Sequence, residues 1–385
     1  MKRPRLTPPS VYFVAFLQRL AINPARTMPL IEPSSYLAPS WLPGGHLQTI
    51  WPALFRPVGK VPARAERLEL DDGDFIDLAW SGASASRLAI LSHGLEADRH
   101  TAYIRGMAAA LVRRGWDVLT WNFRGCGGEP NRLLRMYHSG ATEDLHAIVT
   151  HALAHHPARA IDLIGFSLGG NLTLKYLGER PADLSPRLHR AVAFSVPCDL
   201  ACSSHKLSIP SNRLYMERFL IAMRAKIHAK KKLFPAELDL AGLRRVRTFQ
   251  QFDDRYTAPI HGFRDAADYW QRNSCRQFLP HITLPTLLIN AGNDPFLGPA
   301  CYPRQEAAAS RFLHFESPQT GGHVGFPTFG NSGEYWSETR AAEFLGETYP
   351  PEDSPNLPRQ VSRSPQSPHR PLRSSQRLLT AVATV

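Results

Sequence analysis

In the middle of the chain, the spacing of apolar side chains alternates between a two-residue period, typical of strands, and a period near 3.6, typical of helices. Alternating segments at 67–70 and 74–80 flank an Asp-Asp-Gly turn and predict a hairpin. Further strands are predicted at 88–91, 116–122, 160–164, 191–194, 286–289 and 312–315, with helices at 101–114, at 141–155 and after Ser167.

This order of elements predicts an α/β fold: a mostly parallel, eight-stranded sheet with an antiparallel start and helices on both faces. Residues 199–280 interrupt the alternation, because they are helical in pattern, rich in aromatic and basic residues, and too many for a simple connection. We expect them to form a cap over the carboxyl edge of the sheet. The expected organisation is a partly disordered N-terminal extension at 1–40, an α/β domain at 41–347 and a tail at 348–385.

Composition and charge exclude several functional classes. Of the 385 residues, 43% are hydrophobic, which suffices for a sizeable core. The net charge of +12 would suit a nucleic-acid partner, but +5 of it lies in residues 1–27 and +3 in residues 348–385. Charge at the two ends is typical of solvated tails, so no nucleic-acid partner is expected. Residues 348–385 are rich in Pro, Ser and Arg and are expected to be disordered.

The sequence also predicts the cellular compartment of the protein. Five cysteines, an odd number without a CxxC pair, favour a reducing compartment, so a cytoplasmic protein is expected. No apolar run approaches the ~18 residues that span a bilayer, which leaves at most peripheral membrane contact. The short apolar run at 11–17 favours a surface helix, or translation from Met28, over a signal peptide.

A serine between two glycines carries the first chemical signal. Gly165, Ser167 and Gly169 form a GxSxG motif between a predicted strand and a predicted helix. Such a serine lies on a sharp turn, which exposes its hydroxyl beside the free N–H groups of the helix. The motif in this context predicts a nucleophile, and the alternative is a glycine-rich turn with an incidental serine.

A serine hydroxyl needs a base to become a nucleophile, and the base needs an acid to orient it. Among 16 histidines, His323 stands out, because glycines surround it just beyond the last predicted strand. Asp294 follows the strand at 286–289 and is the predicted acid. Asp199 is the rival acid, with a helix N-cap as its alternative role. The order Ser167, Asp294, His323 is the chain order of α/β-hydrolases.

Two backbone N–H groups are expected to bind the oxyanion that forms when a serine attacks a carbonyl. That of Leu168 follows the nucleophile, and that of Leu95 follows the strand at 88–91, where Gly94 permits a close approach. His93 is a candidate substrate contact, although its position favours a role in shaping this loop. With Asp98 it also fits an H-x4-D acyltransferase pattern of low specificity.

Residues 41–346 also contain a series of short blocks: GHLQT at 45–49, DGDF at 72–75, DLAW at 77–80, HGLE at 93–96, NFRGC at 122–126, GEPNR at 128–132, YHSG at 137–140, GFSLGGN at 165–171, FDD at 252–254, NDPF at 293–296 and GGHVGF at 321–326. In these blocks the sequence resembles the YheT-like hydrolases, which are related to the animal abhydrolase-domain lipid hydrolases. The resemblance implies an α/β-hydrolase fold, the triad Ser167, Asp294 and His323, and an activity similar to carboxylesterases and monoacylglycerol lipases, without a cofactor or metal.

Several residues are candidates for contact with the substrate. Arg124 and His138 follow the strand at 116–122, at the same sheet edge as Ser167, and a structural role for Arg124 in a buried loop carries equal weight. In the cap, apolar side chains at 214–223 either line an acyl pocket or only pack on the core. Lys226 and the three lysines at 230–232 are candidates for holding an anionic group or a bilayer surface.

Together these features predict a serine hydrolase that cleaves short- to medium-chain carboxylic esters, including monoacylglycerols, through an acyl-enzyme. The expected partner is a small-molecule or lipid ester. The alternatives are a hydrolase-fold binding protein without turnover, and a thioesterase or acyltransferase with the same triad.

Overall fold

A computed structural model describes residues 29–346, apart from Ser84, Asn331 and Ser332. The predicted tail at 348–385 and the basic residues 1–27 lie outside the described residues, so the predictions about them stay predictions.

One nine-stranded sheet runs through the described chain in the order β1-β9-β8-β7-β6-β4-β5-β3-β2. Neighbouring strands are parallel except for the pairs β2–β3 and β3–β5, which are antiparallel. The α/β fold with its antiparallel start is therefore confirmed, with one strand more than the eight predicted. The strands are β1 (Leu30–Ile31), β2 (Arg64–Glu69), β3 (Phe75–Ser81), β4 (Arg87–Ser92), β5 (Asp117–Trp121), β6 (Ala160–Phe166), β7 (Leu188–Phe194), β8 (Thr286–Ile289) and β9 (Leu313–Glu316).

The additional strand lies within the predicted N-terminal extension. β1 pairs with β9, and the Phe315 N–H donates to the Pro29 carbonyl at 2.7 Å. Tyr36 is 5% exposed and packs its ring against Phe326 and Trp336. Two residues are too few to show a period, so the sequence pattern could not reveal β1. The packed domain therefore begins before residue 41.

Helices cover both faces of the sheet. Successive residues of a strand point to opposite faces, so Leu88 and Ile90 of β4 join one core, whereas Ala89 and Leu91 join the other. The helices are α1 (Gly44–Phe55), α2 (Ala102–Arg113), α3 (Thr142–His155), α4 (Leu168–Glu179), α5 (Leu200–Leu207), α6 (Arg213–Leu233), α7 (Phe249–Phe252), α8 (Ala258–Ile260), α9 (Ala266–Asn273), α10 (Arg304–Ala309) and α11 (Trp336–Gly346). The first core includes residues of α3 and α4, and the second includes residues of α2 and α11. Over the described residues, no helix has the length and apolarity that crossing a bilayer requires.

The segment at 199–280, which we call the cap, lies between β7 and β8 and contains α5 to α9. It has an apolar core of its own, which includes Leu220, Phe252 and Trp270. Along α6 the apolar residues divide: Phe219 and Leu220 are buried, whereas Leu214 and Ile221 are exposed. Packing within the cap therefore explains Phe219 and Leu220 but not Leu214 and Ile221.

Candidate active site

Ser167 lies on the turn between β6 and α4, in a left-handed backbone conformation with φ of 53°. A Cβ on Gly165 would lie 2.4 Å from the Gly169 carbonyl oxygen, and one on Gly169 would lie 2.3 Å from the Ser92 carbonyl oxygen. Both distances are far shorter than van der Waals contact. The two glycines are therefore required for the turn that holds the serine in its strained conformation.

The structure brings Ser167, His323 and Asp294 together in one chain of hydrogen bonds. The Ser167 Oγ lies 2.9 Å from His323 Nε2, and His323 Nδ1 lies 2.9 Å from Asp294 Oδ2. A carboxylate only accepts hydrogen bonds, so Nδ1 carries the proton and Nε2 is left to accept the serine proton. This is the geometry that a nucleophile, a base and an orienting acid require.

Contacts with Phe296 hold Asp294 and His323 in place. The Phe296 N–H donates to Asp294 Oδ1 at 2.8 Å, and the Phe296 ring lies 4.1 Å from the His323 ring between centroids. The rival Asp199 instead caps α5, with its Oδ1 accepting from the Cys202 N–H at 2.8 Å. The structure thus pairs the histidine with Asp294 and gives Asp199 the N-cap role.

Helix α1 supports the loop that carries His323, and the sequence did not predict this contact. Gln48 is 1% exposed, and its Oε1 accepts from the Gly321 N–H at 2.8 Å and from Asn293 Nδ2 at 3.0 Å. The Thr49 hydroxyl accepts from the His323 N–H at 2.8 Å. In the sequence, the GHLQT block at 45–49 contributes only to the family resemblance. The burial of Gln48 is visible only in the structure, so no local signal in the sequence predicts this contact.

The two predicted oxyanion donors, Leu95 and Leu168, line the same cavity as Ser167. Leu168 is the first residue of α4, so its N–H has no partner within the helix. A Cβ on Gly94 would lie 3.2 Å from the Ser167 Cβ, which confirms the close approach expected of this glycine. The Gly94 N–H donates to the Tyr103 hydroxyl at 2.9 Å, which fixes the loop beside the nucleophile.

The residue after Leu95 anchors the same loop to the cap. Glu96 has a φ of 51°, and its Oε1 accepts from the Tyr137 hydroxyl at 2.6 Å and from Lys226 Nζ at 3.0 Å. Lys226 Nζ also lies 2.9 Å from Cys126 Sγ. Burial raises the pKa of Cys126 to about 11, so this thiol stays protonated at neutral pH. Lys226, predicted to meet an anionic group, is thus already paired.

His93 does not reach the substrate side of this loop. Its ring is buried, its Nε2 accepts from the Phe123 N–H at 3.1 Å, and its Nδ1 lies 2.8 Å from the Gly94 carbonyl oxygen. Burial lowers its pKa to about 4, so the ring is neutral and donates from Nδ1. The prediction of a substrate contact is not supported, and the loop-shaping role is the one that the geometry favours.

Arg124 also does not reach the site. It is 3% exposed, and its guanidinium contacts Asp144 at 2.7 Å, Asp74 at 3.0 Å and Asp72 at 2.7 Å. It does not line either of the cavities that reach Ser167. Of the two roles that the sequence left open, the structure supports the buried loop and not the substrate contact.

Two cavities meet at Ser167 and His323. The inner cavity, of about 120 Å³, has walls that come mostly from the cap and include Leu200, Leu207, Phe219, Met223, Phe249 and Phe252. His138, a predicted substrate contact, also lines it, and burial lowers the pKa of this histidine. The outer cleft, of about 620 Å³, runs between α1 and α6 and is lined by Leu54, Leu214 and Arg218 among others.

The other lysines predicted to bind anions are mostly committed to the protein. Lys230 is buried and donates to the carbonyls of Asn131 and Leu133, and burial lowers its pKa to about 8. Lys231 donates to the carbonyls of Pro235 and Leu238. Hydrogen bonds between α6 and neighbouring loops therefore explain these two residues. Among the described residues, no group of three or more His, Cys, Asp or Glu side chains could hold a metal ion.

Comparisons with known proteins agree with this architecture. The family model described as the alpha/beta hydrolase fold matches residues 90–329. The protein YheT of Escherichia coli (strain K12), whose name proposes esterase activity for it, is 38% identical over 313 residues, which are 78% of this chain and 89% of that protein. The phospholipase ABHD3 of Mus musculus is 29% identical over 69% of this chain and 67% of its own length. The monoacylglycerol lipase ABHD2 of Homo sapiens is 26% identical over 83% of this chain and 80% of its own length.

Solved structures show the same fold. The esterase Pf2001 of Pyrococcus furiosus, in one of its crystal forms, superposes with a TM-score of 0.51 at 18% sequence identity. The match covers 75% of this chain and 94% of that chain.

Proposed function

This chain belongs to the alpha/beta hydrolase family, and on that premise we propose that it is a serine hydrolase that cleaves carboxylic esters of short to medium acyl chain, monoacylglycerols included. The observation that carries the proposal is the distance of 2.9 Å between Ser167 Oγ and His323 Nε2, with Asp294 at 2.9 Å from the other ring nitrogen. The names of the relatives, which include an esterase, a phospholipase and a monoacylglycerol lipase, support esters as the substrate class.

The proposed reaction begins with proton transfer from Ser167 to His323 as the serine oxygen attacks the ester carbonyl. The negative charge on the carbonyl oxygen is stabilised by the N–H groups of Leu95 and Leu168, where losing one such donor typically costs about 10²–10³ in rate. Asp294 stabilises the imidazolium that forms. His323 then gives the proton to the departing alcohol, which leaves the acyl group on Ser167.

Deacylation repeats these steps with water. His323 accepts a proton from water as the water oxygen attacks the acyl carbonyl, and the same two N–H groups bind the second oxyanion. Collapse of this intermediate releases a carboxylic acid, and the proton returns through His323 to Ser167. Every proton donor and acceptor in the cycle is therefore a group of this chain, the ester or the attacking water.

The inner cavity supports acyl groups at the short end of the proposed range. Apolar side chains dominate its walls, and its volume is about 120 Å³. A closed apolar cavity of about 150 Å³ holds one benzene molecule, so this cavity suits an acyl chain of a few carbon atoms. In a series of p-nitrophenyl esters and monoacylglycerols of increasing chain length, kcat/KM should therefore be highest for the short members.

A fluorophosphonate probe tests the proposed function directly. The wild-type protein should be labelled and should hydrolyse p-nitrophenyl esters, and Ser167→Ala should abolish both. Ser204→Ala, which removes another serine hydroxyl from the wall of the inner cavity, is the matched control and should keep both. A protein that neither labels nor turns over would support the binding-protein alternative, and one that cleaves only amides or acyl-CoA thioesters would refute ester hydrolysis.

A further inference from the structure

The charges along the outer cleft are almost all neutralised by partners within the protein. Arg56 forms an ion pair with Glu338 at 2.7 Å, and Lys226 forms one with Glu96 at 3.0 Å. Neither cation is free to recognise a charged substrate without breaking a half-buried or buried pair. Breaking such a pair is costly, because the remaining charge loses its partner in a poorly solvated position.

In the described part of the chain, Arg218 differs from Arg56 and Lys226 in lacking an ion-pair partner. It lies on the exposed side of α6 where this helix borders the cleft, and among the described residues its guanidinium has no hydrogen-bond or ion-pair partner. Tyr103, whose hydroxyl accepts from the Gly94 N–H beside the nucleophile, lines the same cleft as Arg218 and Ser167. A cation with no partner in the described chain therefore lines the cleft that opens on Ser167 and His323.

The remaining carboxylate of the cleft, Asp98, forms no hydrogen bond or ion pair with Arg218. The Asp98 carboxylate accepts from the His100 N–H at 2.8 Å and from the Thr101 hydroxyl at 3.3 Å, so neutral donors of its own loop satisfy it. Among the described residues that line the cleft, Arg218 is therefore the cation without a hydrogen-bond or ion-pair partner.

Among the described residues that line the inner cavity, no charged side chain lacks a partner. Its charged residues are the paired Lys226 and Glu96 and the carboxyl of Asp253, which accepts from Thr257 Oγ1 at 2.6 Å and from Trp270 Nε1 at 2.8 Å. An acyl chain in this cavity would meet apolar walls, whereas the alcohol portion of the ester would extend into the larger, open cleft. A charged group on the substrate is therefore accommodated on the alcohol side.

We propose that Arg218 binds an anionic group on the alcohol portion of the substrate, so that the preferred substrates are acyl esters of phosphate- or carboxylate-bearing alcohols. This inference rests on the proposed ester hydrolysis. A guanidinium presents a planar fork of N–H donors that matches two oxygens of a phosphate or carboxylate at once, and it stays charged at every physiological pH.

The test compares 1-butyrylglycerol with 1-butyrylglycerol 3-phosphate, which differ only by the anionic group. The wild-type protein should hydrolyse the phosphate ester with at least about tenfold higher kcat/KM, mainly through KM, because hydrogen bonds between two charged groups are roughly twice as strong as those between neutral groups. Arg218→Gln should remove this preference and leave the neutral ester within about twofold. Arg213→Gln changes an exposed arginine of α6 that lines neither cavity and should leave both substrates unchanged.

Two further measurements show whether the preference depends on charge and on which side of the ester the charge lies. Added salt should lower kcat/KM for the phosphate ester and not for the neutral one. Butyryl esters of a hydroxy acid place a carboxylate on the alcohol side and should also depend on Arg218, whereas p-nitrophenyl succinate, with its carboxylate on the acyl side, should not.

Equal kcat/KM for the two glycerol esters in the wild type, or an equal loss for both in Arg218→Gln, would overturn the inference while ester hydrolysis stands. If no ester is turned over, the proposed function fails, and calorimetry with glycerol 3-phosphate still decides the inference. A Kd weakened about tenfold or more by Arg218→Gln would support the anion site, and an unchanged Kd or undetectable binding to the wild type would refute it.

Discussion

Two glycine-rich loops leave neighbouring regions of the same sheet edge and use their polar residue in opposite ways. After β6, the turn at Ser167 holds the hydroxyl in a strained conformation and points it at a histidine, next to two cavities. After β5, the loop that carries Arg124 buries its guanidinium among three carboxylates. Glycine content and position in the fold are alike, so neither separates a chemical role from a structural one.

The difference lies in what the rest of the chain supplies as partners. Asp72 and Asp74 precede β3, and Asp144 lies in the first turn of α3, so carboxylates from two other segments of the chain converge on Arg124. Ser167 receives one partner, His323, and keeps an open side. A polar residue that is fully satisfied within the protein stabilises the fold, whereas one with an unoccupied side is available for chemistry.

The largest effect is expected at the acid of the triad. Asp294→Asn keeps the size of the side chain but favours the wrong histidine tautomer, so kcat should fall about 10⁴-fold. Asp199→Asn, the matched control at the cap of α5, should leave kcat within a few-fold, because asparagine caps helices nearly as well. Steady-state kinetics with a p-nitrophenyl ester measure both, and the reverse ranking would move the acid to Asp199.

The second effect is one of stability and belongs to the other loop. Arg124→Met leaves buried carboxylates without their cation and should lower the free energy of unfolding by about 3–5 kcal/mol. Because Arg124 does not line either cavity, kcat per folded molecule should stay within about twofold. Urea denaturation together with active-site titration tests this. A stable variant that has lost kcat would instead make Arg124 a substrate contact.

Between these two loops, the turn after β4 contributes the oxyanion donor Leu95. Gly94→Ala adds a methyl group 3.2 Å from the Ser167 Cβ and must displace one of the two segments. We expect kcat to fall about 10²-fold with a much smaller change in KM, because the donor acts mainly in the transition state. Gly59→Ala is the control, since no atom lies within 4 Å of the added carbon. Equal activities in the two variants would contradict the assignment.

The smallest effect concerns His93, which joins the turn after β4 to the start of the Arg124 loop. Burial lowers its pKa to about 4, below the value near 6.5 of an unfolded chain. The unfolded state therefore gains a proton first as the pH falls, so the stability that His93 contributes is complete above pH ~6.5 and is lost towards pH ~4. The advantage of wild type over His93→Leu should shrink by about 1 kcal/mol between pH 7 and pH 5.5 in urea denaturation. A constant difference would contradict a neutral, buried His93.

The sequence predicts the elements with local signals and misses those that depend on distant contacts. The GxSxG turn, the glycines around His323 and the aspartate after β8 are each readable within a few residues, and the structure brings all three side chains together. The support of His323 by Gln48 and Thr49 joins segments 273 and 274 residues apart, which no local pattern encodes. Likewise, the lysines of α6 look like a free basic run until their carbonyl partners are known.

The chemical role of the turn after β6 requires that Ser167 carries the acyl group during turnover. Acid quenching of the protein during hydrolysis of p-nitrophenyl acetate, followed by peptide mass spectrometry, tests the claim most directly. We expect an acetyl group on the peptide that contains Ser167, and more of it when Gly94→Ala or Asp294→Asn slows deacylation more than acylation. Steady turnover with an acetyl group on another side chain, or with none on Ser167, would contradict it.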